Sequence, residues 1–493
     1  MDKNINKKDS KEKKNKDKNQ YGIVYTPTTL VNKILDLIPP KYFQDPSLTW
    51  LDLGAGKGAF TINLYDRLFK NLEPTISDLE TRKNHIIKNM IFMVEIFPDH
   101  IIHLKEQFGK DANIITEDFL SLNKYEYEPF DFIIGNPPYN TNGQIKTPTN
   151  TSQKKTDDGK AIYVDFVKKS LTMLTPGGFL NLIIPSLWLK PDKAGLYKTL
   201  TNLPIHKLHC LSTSETNKLF NYQAQTPTCF FLCGREIALH AILSIFDKSE
   251  QTYIPYNLKP DYPIPTHGIT IINKLLPYVE KYGHLEYYKT NTASKKSIIS
   301  INPTNTQKYK NIQTCYLDGL TPGLVENYSN IPQKFYKQPK LILAHKMYGF
   351  PYLDISGEYG ISTRDNYIIN GKAVPYAATK EAVSSHPATS HAIINIGATN
   401  ITSDYSLEDL LQIQAFLSTK FALFIFSTTN YRMRYLERYA FLFIPAITRI
   451  QHFPSLKNMT REERDKTINN FFNFSPKENS QIENSSKNYN FFI

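Results

Sequence analysis

No run of 18 or more apolar residues occurs in the 493-residue chain, and its lysine-rich amino terminus has no apolar core. Neither a transmembrane helix nor a signal peptide is therefore expected, nor any membrane association. Cysteine is scarce. Cys210, Cys229, Cys233 and Cys315 are spaced neither as a disulfide framework nor as paired zinc knuckles. A chain of this size needs no covalent staples, so buried free thiols in a reducing, cytoplasmic setting are expected, without a metal centre. There is no internal repeat and no carboxylate–lysine nuclease pattern. Acidic residues are in deficit, giving a net charge of +12. Residues 1–20 hold eight lysines against four acids and so supply +4, leaving +8 on the remainder. That second surplus suggests a polyanionic partner.

The most informative stretch is Phe130 to Tyr139. Phe130–Ile134 is a short, nearly continuous apolar run, the pattern of a buried parallel strand. It stops at Gly135, which places Asn136-Pro137-Pro138-Tyr139 at the carboxyl edge of a sheet, where open α/β sheets hold ligands. The two prolines stiffen the backbone and remove two N–H donors, leaving carbonyls to accept. An amide oxygen, a fixed carbonyl and a tyrosine ring suit a flat group that carries an amine. The competing reading is a proline-punctuated turn.

Upstream, Tyr25-Thr26-Pro27 leads into an amphipathic helix with Leu30, Ile34, Leu37 and Ile38 on one face, Thr26 serving as cap and Pro27 in the first turn. Trp50–Leu53 reads as a strand, Gly54-Ala55-Gly56-Lys57-Gly58 as a turn that lets a ligand approach the backbone, and Ala59–Phe69 as a helix. Asp52 stands just before that turn. A second apolar run, Ile91–Val94, ends in Glu95, the usual place of a ribose-binding acid. A third, Ala112–Ile115, runs to Asp118-Phe119, an acid and a ring suited to an adenine. Three acids at three successive strand ends converge on one crevice. Residues 70–89 read as a surface insertion and 140–160 as a mobile loop. The α/β pattern closes near residue 234, 250–265 read as a proline-rich linker, and Ser406 with Asp409 forms a capping box before a helix.

The order of these motifs resembles the gamma-class adenine-specific DNA methyltransferases of restriction–modification systems, strongly over residues 21–235. Pro339–Ile342, Gly357–Asn366 and the segment from Leu407 to Pro445 carry a weaker resemblance. Two departures from the family pattern are Asp52 in place of a Glu-Pro pair and the long insertion before the second strand. The resemblance implies a Rossmann-like S-adenosylmethionine-dependent methyltransferase fold over 21–235. A mixed α+β target-recognition domain would span 236–473, between a disordered basic tail (1–20) and a polar tail (474–493). It implies methyl transfer to the N6 amine of adenine in double-stranded DNA, in restriction–modification with a separately encoded endonuclease.

In that family, Asn136, Pro137, Pro138 and Tyr139 would be catalytic. Tyr25, Thr26, Pro27, Asp52, Gly54, Gly56, Gly58, Glu95, Asp118 and Phe119 would hold the cofactor. Tyr139 and Phe220 would stack on the flipped base, and Tyr431, Arg432, Arg434 and Arg438 would suit phosphates and bases. RNA adenine and protein-glutamine methyltransferases share the Asn-Pro-Pro-Tyr chemistry, and a catalytically idle DNA-binding module is a further alternative.

Overall fold

The computed structural model describes residues 25–140, 161–222, 224, 226–236, 242–290, 297–318, 321–343, 351–362, 366–369, 372–375, 391–395, 405–431 and 436–486. The calls on residues 1–20, on Arg432 and Arg434, and on nearly all of 140–160 lie outside them. Among the described residues the chain divides into two compact units, one reaching His267 and one starting at Gly268.

The first unit is built on a nine-stranded sheet in the order β3-β2-β1-β4-β5-β7-β6-β8-β9. The strands are β1 (Trp50–Asp52), β2 (Ile91–Val94), β3 (Asn113–Ile115), β4 (Phe130–Gly135), β5 (Leu174–Pro185), β6 (Ile205–Leu211), β7 (Thr228–Gly234), β8 (Leu243–Asp247) and β9 (Thr252–Tyr256). β1 to β5 are mutually parallel, whereas β7 runs antiparallel to both β5 and β6. This is the Rossmann-like methyltransferase arrangement, and its strand order reverses between β1 and β4, the switch point at which such sheets bind ligands. The core is aromatic at its centre: Trp50 stacks on Phe132 at 4.0 Å, and Phe132 on Phe179 at 5.2 Å.

Helix α1 (Thr28–Leu35) buries Leu30, Val31, Ile34 and Leu35. Asn181, wholly buried in β5, donates from Nδ2 to the Ile34 carbonyl at 3.2 Å and so ties the helix to the sheet. The helix starts one residue later than its sequence suggests. Pro27 is its N-cap, with no side-chain capping bond, which leaves the Thr26 hydroxyl for another partner. Helix α2 (Ala59–Asn71) follows the glycine turn. The insertion before β2 is not confined to the surface: α3 (Leu79–His85) runs into a π-helical turn that buries Ile86, Ile87 and Met90. Arg82 is buried there, its guanidinium 4.4 Å over the Phe69 ring and Nη1 donating to the Ile76 carbonyl. Helix α4 (Pro98–Phe108) follows β2, α5 (Tyr163–Met173) precedes β5, and α6 (Thr213–Leu219) precedes β7. The sheet also passes residue 235: β8 and β9 extend it, and β9 occupies Thr252–Tyr256 within the expected 250–265 linker.

The second unit is mixed α+β. β12 (Tyr309–Asp318) and β13 (Thr321–Ser329) form its longest hairpin, and β14 (Lys340–Leu343) pairs with β15 (Tyr352–Asp354). Its further strands are β10 (Tyr288–Thr290), β11 (Ile299–Ser300), β16 (Gly360–Ile361), β17 (Asn366–Ile369), β18 (Lys372–Pro375) and β19 (His391–Asn395). With β12 to β15 they form a four-stranded sheet, β10-β19-β14-β15, and a six-stranded one, β16-β12-β13-β11-β17-β18. Its helices are α7 (Ile269–Tyr282), α8 (Leu407–Leu417), α9 (Lys420–Thr428), α10 (Arg461–Phe471) and α11 (Pro476–Ser486). The capping box forms: Ser406 Oγ accepts from the Asp409 amide at 3.1 Å and the Ser406 amide donates to Asp409 Oδ2 at 2.8 Å. The expected polar tail is partly helix α11, whose buried Glu478 meets Lys274 of α7 at 2.5 Å. Among the described residues no single helix is long and apolar enough to cross a membrane.

Candidate active site

Backbone bonds bring the strand ends of the first unit to one level. The Leu53 amide donates to the Ile134 carbonyl (3.2 Å), Ala55 to Val94 (2.9 Å) and Glu95 to Ile115 (3.0 Å). Asp52, Glu95 and Asn136 therefore stand on one sheet edge. Gly58 caps α2 in a left-handed conformation (φ 84°), and a side chain at Gly54 or Gly56 would meet nothing within 4 Å. The turn is open at Gly54 and Gly56, whereas Ala55 and Gly58 are buried. Gly135 (φ 140°) is needed for a different reason, because a Cβ there would lie 3.3 Å from Asp52 Oδ1 and from Leu53 Cγ.

Asp52 is buried, and its Oδ2 accepts from the Thr61 hydroxyl of α2 at 2.8 Å. Burial pushes its carboxyl up to about 7; the Thr61 and Gly54 hydrogen bonds oppose that shift and the Glu95 charge adds to it. The folded protein thus holds a proton that the unfolded chain, titrating near 3.8, gives up earlier. Stability from this group falls as pH rises from about 4 to about 7. Asp52→Asn is expected to raise the melting temperature, by more at pH 8 than at pH 5, which paired calorimetric scans measure.

Glu95 is fixed from two sides. Its Oε1 accepts the amides of Ile96 and Phe97, both at 2.8 Å, and Oε2 lies 3.3 Å from His100 Nδ1 on α4. The other ring nitrogen, Nε2, lies 3.1 Å from the Tyr25 hydroxyl. A neutral imidazole satisfies both contacts by donating from Nδ1 and accepting at Nε2. The Tyr25 ring lies under Lys57 Nζ, 5.6 Å from its centroid, so this tyrosine joins the glycine turn to the second-strand acid. Sequence reasoning missed His100 and Thr61. Both occupy helix positions facing a strand end, and a single histidine five residues beyond an acid carries no distinguishing spacing.

At the end of β4, Asn136 donates from Nδ2 to Thr26 Oγ1 at 3.0 Å. Tyr139 sits beside it, half-buried, its ring edge-on to Tyr163 with centroids 6.5 Å apart. Its hydroxyl is buried with no hydrogen-bond partner among the described residues. Burial, with Cys229 and Tyr163 nearby, holds the phenol well above its ordinary range. Tyr139→Phe is accordingly expected to be neutral or slightly stabilising and to keep most activity, since it removes an unsatisfied hydroxyl. Tyr139→Ala removes the ring, worth about 1–3 kcal/mol per stacked base in nucleic-acid sites. A smaller or less stable fluorescence rise from a duplex with 2-aminopurine at the target position would register the loss.

Two expected roles change. Phe119 is 2% exposed and stacks on Phe166 of α5 at 5.3 Å, so its ring is taken up by packing, not open to flank an adenine. Asp118, exposed and accepting from the Leu120 amide, is the member of that pair open to a ligand. Phe220 is 1% exposed within the core formed with Leu211, Ala224 and Phe230, so it presents no face to a base. Two residues on, Tyr222 is 75% exposed at φ 63°. In the second unit Tyr431 is buried, and Arg438 donates to the Tyr439 hydroxyl at 2.7 Å.

Comparison with known proteins covers the same stretch of chain. Residues 48–218, which carry β1, the glycine turn, β4 and Asn136–Tyr139, match the family model of the Eco57I restriction-modification methylase. Over that span the chain is similar to that family. An uncharacterized adenine-specific methylase of Mycoplasma pneumoniae is 27% identical over 242 residues, 34% of this chain and 55% of that protein. The type II methyltransferase M.PaeR7I of Pseudomonas aeruginosa is 27% identical over 209 residues, 38% of this chain and 35% of that one. The chain thus spans about half the length, or less, of these curated relatives. Among solved structures, a modification subunit of a putative type I restriction enzyme from Vibrio vulnificus covers 52% of this chain and 53% of its own. Its identity is 15% and its TM-score 0.33.

Proposed function

We propose that this methylase transfers a methyl group from S-adenosylmethionine to the N6 amine of adenine in duplex DNA, as the modification enzyme of a restriction–modification pair. The observation that carries this reading is the Asn136 amide at the carboxyl end of β4, its nitrogen committed to Thr26, beside the half-buried Tyr139 ring. With Nδ2 so engaged, the end of the amide directed to a ligand is its oxygen, an acceptor suited to an amine.

The donor set fits the cofactor. The open turn from Gly54 to Gly58 suits close backbone contact, Glu95 suits a ribose hydroxyl and Asp118 an adenine amine. When bound, S-adenosylmethionine supplies an electrophilic methyl group on a sulfonium. The chain's own groups prepare the acceptor. The exocyclic amine of adenine is a weak nucleophile because its lone pair is delocalised into the ring. Hydrogen bonds from it to Asn136 Oδ1 and the Pro137 carbonyl favour a pyramidal nitrogen and localise that pair. The amine becomes acidic only as it gains the methyl group, so no strong base need act first, and the acceleration comes from positioning and fixed dipoles. The base reaches such a pocket only by leaving the duplex, with Tyr139 as its stacking platform. The second unit is then the target-recognition domain, and its cognate endonuclease a separate chain.

Glu95→Ala is expected to weaken cofactor binding by about 1–3 kcal/mol, the scale of a hydrogen bond to a charged group, measured by calorimetry. The function itself is tested by incubating the full chain and labelled cofactor with duplex DNA, RNA and protein. Label recovered as N6-methyladenine in DNA supports it; label confined to RNA adenine or to glutamine overturns the substrate.

A further inference from the structure

Thr26 and Asn136 are 110 residues apart, yet they share a 3.0 Å hydrogen bond in which the amide Nδ2 donates to the Thr26 hydroxyl oxygen. Thr26 is 8% exposed, and it sits on a segment held on both sides. Before it, the Tyr25 hydroxyl meets His100 at 3.1 Å and the Tyr25 ring lies under Lys57. After it, the Pro27 carbonyl accepts the amides of Leu30 and Val31 at 2.9 and 3.0 Å, and α1 is tied to β5 through Asn181. The hydroxyl is therefore a fixed point against which a rotatable amide is set.

An asparagine amide has two chemically opposite ends of nearly equal shape. Turned over, Asn136 would offer N–H donors to an amine that is itself a donor, and the acceptor would be lost. The neighbouring Asn136-Pro137 backbone fixes where the amide is and leaves open which end points outward.

We propose that Thr26 is a positioning residue for the transfer step: its hydroxyl oxygen holds Asn136 Nδ2, so that the amide oxygen faces the substrate amine. This rests on the function proposed above and departs from the cofactor-binding role that family resemblance gives Thr26. Its consequence is a specific split. Losing the hydroxyl lowers the rate of transfer while cofactor affinity stays near that of the parent, because Glu95, Asp118 and the glycine turn are untouched.

The test uses the full chain with Thr26→Val, close to threonine in shape, Thr26→Ala, which cannot overpack, and Thr26→Ser, which keeps the hydroxyl. Single-turnover methylation of a substrate duplex is measured beside the dissociation constant for S-adenosylhomocysteine, with melting temperature as the control for folding. The expected result is a loss of roughly tenfold or more in rate for valine and alanine alike, the order set by one net hydrogen bond. Serine should return to within a few-fold of the parent, and the dissociation constant should change little in all three. Rates equal to the parent for valine and alanine overturn the proposal. So does a serine variant as slow as valine, since the methyl group and not the hydroxyl would then matter. A loss confined to S-adenosylhomocysteine affinity assigns Thr26 to the cofactor and overturns it as well. A parent chain that methylates no adenine overturns the function on which it rests, and that outcome is separate from the other three.

Discussion

Asn136→Ala is expected to lower the rate of methyl transfer by roughly two to three orders of magnitude, the scale seen when one fixed dipole is removed from a reacting centre. Cofactor affinity should stay close to that of the parent. The amide lies at the end of β4, whereas the open turn, Glu95 and Asp118 lie at the ends of β1, β2 and β3. An interaction that strengthens as the amine pyramidalises stabilises the transition state more than the ground state. Its loss therefore appears in kcat and in kcat/KM together, and little in substrate binding. Folding should be nearly intact, because Asn136 is only half-buried. Single-turnover measurements with labelled methyl donor decide the matter, and a rate equal to the parent's would remove Asn136 from the mechanism.

That prediction is available from sequence because the site's skeleton is local. Each acid ends its own short apolar run, and Asn136–Tyr139 ends another, so the parallel sheet brings them together once the strands are recognised. What sequence left out depends on facing elements. Thr61 and His100 act across from a strand end, from helices whose rotation no spacing rule fixes. Phe220 and Tyr222 differ by two positions in a loop, and only packing shows which ring is turned inward. The segment around Pro255 looked like a linker because proline removes a ladder donor. It lies in β9, the outermost strand of the sheet, and edge strands tolerate that loss. The helix near the carboxyl terminus was hidden for another reason, since its polar sequence is held by pairing with Lys274 rather than by an apolar stripe. Family resemblance had a parallel limit. It placed an aromatic pair and a threonine by motif, and the structure turned both Phe119 and Phe220 into the core.

The largest loss of stability is expected in the second unit, at a pair that looks unremarkable in sequence. Lys340 on β14 is fully buried and Asp354 on β15 is 2% exposed, with Nζ and Oδ2 2.5 Å apart. The two residues face each other across the antiparallel pair. Lys340 Nζ also donates to the Gln338 carbonyl at 3.0 Å. Asp354 accepts from the Tyr359 and Glu358 amides at 3.1 and 3.2 Å and from Ser356 Oγ at 3.2 Å, so one carboxylate organises the whole turn after β15. Burial pulls the Lys340 ammonium below its ordinary range, and the Asp354 hydrogen bond and charge oppose that shift. Removing one partner strands the other charge in an apolar setting, and such losses cost about 3–5 kcal/mol. Asp354→Ala should be the worse of the two single changes, since it also leaves the turn amides without their acceptor. Replacing both residues by apolar ones of similar volume, Lys340→Met with Asp354→Leu, should recover part of the loss: the charges go, while the turn amides remain unserved. Calorimetry of the full chain should show the unfolding transition of this unit moving down sharply in either single variant and partway back in the double. A single variant that melts with the parent would mean that water already reaches the pair, and a double variant no better than Asp354→Ala would place the whole cost in the turn.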